Sequence, residues 1–221
     1  MISTAALAGL ILQCSGGGVS PDTLQNIIQV ESGGNPFAIA DVTGKKSFYP
    51  ASHAAAKAHS LRLSQDGHNY SAGLMQINSA NFSAYGLTPE TVFTPCKNIA
   101  AGADILRQCW IRADAYSSSA DRLKASLSCF YSGNFTRGLM KKNGEKISYV
   151  DAIAQTQLPQ EAIQVPSVEI LKTPSETNLT PSGTPAPADA GSGTQPVSSP
   201  TPFFTGGDDN MPAWDVFSKP S

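Results

Sequence analysis

The chain has little that would suit it to nucleic acid or to a bilayer. Its formal net charge is −2 over 221 residues, and no basic run of the kind that tracks phosphates is present. Lys141 and Lys142 form a short basic pair that reads as a solvated loop. No stretch is long enough to span a hydrocarbon core, and the apolar residues from Ala5 to Leu12 are far too few for it. Met1 to Gln13 contains neither Lys nor Arg, so it lacks the basic opening of a secretory signal. Gln13 also stands before Cys14 where a lipoprotein signal has a small residue. The apolar run is therefore expected to be a core helix, with export depending on an upstream extension or another route.

Cysteines are few as well. Cys14, Cys96, Cys109 and Cys129 lack the paired spacing of a zinc site, and only His53, His59 and His68 could add nitrogen ligands. The histidines are spaced by six and nine residues, which does not stack them on one helical face. They read as solvated helix and loop residues, and neither a metal nor a cofactor is expected. Two disulfides in an oxidising compartment are expected, with three pairings open.

Proline is concentrated rather than scarce. Eleven of the sixteen prolines fall between Pro159 and Pro220, among Ser, Thr, Gly and Ala with few aliphatic side chains. Such a segment cannot bury enough apolar surface to offset its ordering entropy. Residues 1–157 are expected to form one folded domain and 158–221 a disordered tether. Near its end, Phe203, Phe204, Trp214, Val216 and Phe217 return as hydrophobic residues and suggest a docking motif.

The folded part reads as mainly helical. Thr94-Pro95 opens a helix whose stripe is Ile99, Ala103, Leu106, Trp110 and Ala113; a second stripe is Leu123, Leu127 and Phe130; Tyr149, Val150 and Ile153 mark a last short helix as a core face. Pro50 to Ser64 is Ala-rich and expected to be helical. Upstream, Ser20 is a good N-cap, Pro21 fits the first helical position, and Leu24, Ile27, Ile28 and Glu31 recur along one face until Gly33 and Gly34 end the helix. Glu31 thus lies on a buried stripe at the negative end of a helix dipole, and both effects raise its pKa. A carboxyl kept protonated near neutral pH is what general-acid cleavage requires.

Four blocks follow in order: Glu31-Ser32-Gly33; Gly73-Leu74-Met75-Gln76-Ile77-Asn78; Asn98-Ile99 with Gly102; and Tyr131-Ser132-Gly133-Asn134. This series resembles the lytic transglycosylases with a lysozyme-like α+β fold, and within them the branch that accompanies type IV secretion and conjugation machines. The resemblance covers roughly residues 10–157. It departs from many relatives at Ser132, where they have Asn, and at Ser71-Ala72, where they have an acidic residue before the glycine. It implies a periplasmic enzyme acting on the MurNAc-GlcNAc bond of peptidoglycan. Glu31 would act as acid and then base, without a second carboxylate, to leave a 1,6-anhydromuramoyl end.

The resemblance further implies that Ser32 holds Glu31 or meets the departing sugar, and that Gly73 permits a close backbone approach. Met75 would form an apolar wall and Gln76 a directional amide. Asn78 and Asn134 would order turns or contact sugar, and Tyr131 would hydrogen-bond the catalytic carboxylate or the acetamido group. Asn98 is expected to be structural. A hydrolytic muramidase recruiting Asp41 or Asp66 is the alternative enzyme, and a glycan-binding assembly factor that recruits a secretion component through Trp214, Val216 and Phe217 is the non-catalytic one.

Overall fold

The computed structural model describes residues 1–142 and 144–156. The tail and its docking residues Trp214, Val216 and Phe217 lie outside them, as does the expected boundary at 157. The described elements, in order, are α1 (Thr4–Cys14), α2 (Pro21–Ser32), β1 (Ile39–Asp41), β2 (Lys46–Phe48), α3 (His53–Gln65), β3 (Tyr70–Ala72), β4 (Ile77–Asn78), α4 (Pro95–Arg112), α5 (Ser119–Ser132) and α6 (Tyr149–Ala154). Short 3-10 turns at Ser79–Asn81, Ser83–Tyr85, Thr91–Phe93 and Arg137–Leu139 complete them.

The helix starts follow side-chain chemistry. Ser3, Ser52, Ser118 and Ser148 each accept a backbone N–H three residues on, and prolines open α2 and α4, where no donor is lost. Gly33 and Gly133 end α2 and α5 at φ 59° and 71°, a left-handed conformation that glycine adopts without Cβ strain. The apolar run at the N-terminus forms α1, which buries Leu7, Ile11 and Cys14. Among the described residues no helix is long and apolar enough to cross a membrane.

The core is built from α2 (Leu24, Ile27, Ile28), α4 (Ile99, Ala103, Leu106), α6 (Tyr149, Val150, Ile153) and the segment Leu74 to Ile77. Two members of the expected stripes lie elsewhere. Trp110 is only half-buried, with the Arg122 guanidinium 4.7 Å from its ring. Leu123 is 38% exposed because α5 turns Ala125, Leu127 and Cys129 inward instead. Thr91–Phe93 forms a single 3-10 turn ahead of α4.

The helical reading also missed a four-stranded antiparallel sheet in the order β2-β1-β3-β4. Ile39 pairs with Phe48 on one side and Ala72 on the other, and Ala72 pairs with Ile77. β1 and β3 are buried at all three positions, so they show no polar-apolar alternation. His59 and His68 contact this sheet, while His53 is exposed at the start of α3 as expected. The His59 ring lies 4.0 Å from that of Phe48, His68 pairs with Asp41, and His53 meets Phe37 and Phe93 edge-on.

All four cysteines are paired. Cys14–Cys96 ties α1 to the first turn of α4, and Cys109–Cys129 ties the last turn of α4 to α5.

Candidate active site

Glu31 occupies the last turn of α2 and is 4% exposed. Helix α6 brings Tyr149 across from it, and the phenol donates a 2.6 Å hydrogen bond to Oε1 of Glu31. The two residues are 118 positions apart in sequence. Burial pushes the Glu31 carboxyl up from an ordinary 4.5 to about 8, against the opposing pull of the Tyr149 hydrogen bond. Burial, the Glu31 charge and the hydrogen bond to it push the Tyr149 phenol well above its own ordinary value, so it remains a donor. An acid that is protonated at neutral pH and has a fixed partner is therefore present.

Tyr131, expected to hydrogen-bond the carboxylate or the acetamido group, stacks on Tyr149 at 4.4 Å and 17° between planes. The carboxylate's partner is thus a residue whose period marked it only as core. A buried phenol seeks a polar partner, and that rule is the signal by which Tyr149 could have been singled out.

The segment Gly73 to Gln76 turns between β3 and β4 and is fastened by side chains of two helices. Asn98, 1% exposed, accepts from the Met75 N–H at 2.7 Å and donates to the carbonyls of Ala72 at 3.0 Å and Val92 at 2.9 Å. Its expected structural role is this bracket. Ser32 donates from the acid's own helix to the Leu74 carbonyl at 2.8 Å. Gly73 has φ 82°, and a Cβ there would run into the Asn98 amide and come within 2.8 Å of the Val92 carbonyl. The close approach that Gly73 permits is therefore to the protein's own interior.

Met75 and Gln76 differ from expectation in instructive ways. Met75 is fully buried and packs on Gly102 of α4, so its side chain is no groove wall. The absence of a side chain at Gly102 creates the slot it fills. Gln76 is 6% exposed and in a left-handed conformation at φ 44°. Its Nε2 donates to the carbonyls of Gly73 at 2.8 Å and Ala38 at 3.0 Å, while its buried Oε1 has no hydrogen-bond partner in the described structure.

Asn78 bridges to Asn69 at 2.6 Å and caps the Ala80 N–H at 3.0 Å, and Asn134 accepts from the N–H groups of Thr136 and Arg137 at 2.8 and 3.0 Å. Both are turn residues. Asp41 is 3% exposed and committed to the Gly44 N–H at 2.9 Å and to His68 Nδ1 at 3.0 Å, whereas Asp66 is an exposed cap of α3. Neither carboxylate is hydrogen-bonded into the Glu31, Tyr149 and Tyr131 assembly.

One buried proton donor on a mostly helical body with a small antiparallel sheet makes this a lysozyme-like α+β protein. The chain belongs to the transglycosylase SLT domain family, whose family model matches residues 13–146. Among curated proteins it is similar to type IV secretion system protein virB1 of Brucella suis biovar 1 (strain 1330), at 37% identity over 71% of this chain and 66% of that protein. It is 40% identical to the protein of the same name from Brucella abortus biovar 1 (strain 9-941), over 61% of this chain and 57% of that one. Protein virB1 of Agrobacterium fabrum (strain C58) is 33% identical over 64% and 56% respectively. The chain thus spans between about half and two thirds of the length of these relatives. No solved structure matches it.

Proposed function

We propose that the chain is a peptidoglycan lytic transglycosylase that opens the cell wall locally for a type IV secretion or conjugation apparatus. The observation that carries this reading is Glu31: a carboxyl with pKa raised to about 8, hydrogen-bonded through Oε1 to Tyr149 so that Oε2 is the oxygen to carry the exchangeable proton.

The chemistry follows from that one group. Oε2–H protonates the glycosidic oxygen as the bond to the muramoyl C1 breaks. As the proton leaves, charge develops on Glu31, and the Tyr149 hydrogen bond stabilises it more than it stabilised the neutral acid. The substrate's own acetamido oxygen supports the electron-poor C1. The muramoyl 6-hydroxyl then attacks C1 and returns its proton to Glu31, giving the 1,6-anhydro end. No water enters, so no second carboxylate is needed to activate one, unlike the two-carboxylate glycosidases. Asp41, already bonded to Gly44 and His68, fits that economy.

Tyr131, half-buried and stacked on Tyr149, suits an edge contact with a sugar beside the acid. The names of the virB1 relatives support the secretion context, and two disulfides suit an oxidising periplasm.

Mass spectrometry of digested cell-wall sacculi tests the reading. Muropeptides lighter by one water than hydrolysis products are expected; hydrolysed ends alone would make the protein a muramidase. Loss of both products in Glu31→Gln is expected, and sustained digestion by that variant would remove Glu31 from the mechanism.

A further inference from the structure

In a chain with net charge −2, the segment from Arg137 to Lys146 carries Arg137, Lys141, Lys142 and Lys146 against Glu145 alone. It joins the end of the α5 region to α6 and so borders the two helices that supply Tyr131 and Tyr149. It also exposes apolar surface, with Leu139 at 40% and Met140 at 61%. One of its cations reaches the site. Lys142 Nζ lies over the Tyr131 ring, 5.8 Å from its centre. That ring stacks on Tyr149, which holds Glu31, so three consecutive contacts connect an ammonium to the acid.

We propose that Lys142 is a specificity-determining residue that binds a free carboxylate of the peptide stem. The inference rests on the reading that peptidoglycan is the substrate. The acetylated sugars of such a strand are uncharged, and its negative charges belong to the stem, which hangs from the lactyl group of the muramoyl unit beside the bond that breaks. A cation two rings away from the acid therefore meets the stem before any other anion of the strand. The Tyr131 face holds the ammonium by cation–π attraction and limits its freedom, which lowers the entropy lost when a carboxylate binds. The exposed Met140 and Leu139 offer the alanine methyl groups of a stem an apolar neighbour, and the other cations of the segment raise the local potential for an anionic chain.

The test compares two preparations of the same glycan strands, one with free stem carboxylates and one with those carboxylates capped as methylamides by carbodiimide coupling. The intact protein is expected to cleave the free strands with the higher kcat/KM, and added salt to narrow the difference. Lys142→Gln should lower kcat/KM on free strands roughly 2- to 5-fold, the upper part of the range for a partly exposed ion pair, and bring it to the level of the capped strands. Lys142→Arg should restore most of the preference, with melting temperatures unchanged in both variants. Equal loss on both substrates would reduce Lys142 to a support for Tyr131 and overturn the proposal, as would an unmodified protein with no preference for free carboxylates. Failure of the unmodified protein to cleave either strand is a different result: it overturns the transglycosylase reading and this inference with it.

Discussion

At the scale of single residues, Glu31 gives up fold stability for its chemistry, and the sign of that trade can be worked out. Its folded pKa of about 8 exceeds the ordinary 4.5, so the folded state holds a proton that the unfolded state releases between those values. The stability contribution is intact below 4.5 and is lost as pH rises through about 8. Glu31→Gln keeps a carbonyl to accept from Tyr149 and removes the ionisation. It should be more stable than the parent by on the order of 2–4 kcal/mol at pH 8 and equal to it at pH 4, as read by denaturant unfolding at the two pH values. A gap that does not change with pH would place the titration elsewhere. Tyr149→Phe tests the partner. Because the phenol's hydrogen bond lowers the acid's pKa, its removal should move the alkaline limb of the activity profile to higher pH. It should also reduce kcat roughly 10- to 100-fold, the worth of a hydrogen bond to a charged group. A profile that keeps its limb while kcat falls would mean that Tyr149 acts through packing alone.

At the scale of elements, the turn between β3 and β4 depends on one side chain of α4. Asn98→Ala would leave the Met75 N–H and the carbonyls of Ala72 and Val92 buried without that partner. A loss of roughly 3 kcal/mol or more in unfolding free energy is expected, with Asn98→Asp, which keeps only the acceptor, falling between. A loss under about 1 kcal/mol would show the turn to be held by its other contacts. What could be read from sequence follows the same division. Helices α2, α4 and α6 were legible because caps, prolines and stripes act within a few residues, and Glu31 was legible because it sits on such a stripe. The sheet was not, since its strands are two or three residues long and take their partners from elsewhere in the chain. Tyr149 was legible as core but not as the acid's partner, and Met75 as part of a motif but not as a knob filling the space over Gly102. In each case a contact across the fold, rather than a local preference, assigns the role.

At the scale of the whole molecule, both disulfides hold α4, one at each end, but they hold it to different things. Cys14–Cys96 closes 82 residues and Cys109–Cys129 closes 20, which on chain entropy alone gives about 4.5 and about 3 kcal/mol of stabilisation. The shorter loop lies nearer the chemistry. Cys129 is two positions before Tyr131 on α5, and the α5 register sets where Tyr131 meets Tyr149. Arg112 donates to Cys129 Sγ at 2.9 Å and to Cys109 Sγ at 3.4 Å, so opening this bridge also disturbs a part-buried guanidinium beside α5. Replacing Cys14 and Cys96 by Ser should therefore lower the melting temperature more, while replacing Cys109 and Cys129 should lower activity more when both variants are assayed well below their melting points. The pH profile separates the causes. If α5 carries the effect, the second variant shifts its alkaline limb as the Tyr131–Tyr149 stack loosens, and the first does not. Activity losses that simply follow stability in both variants would mean that α5 transmits nothing from its disulfide to the acid.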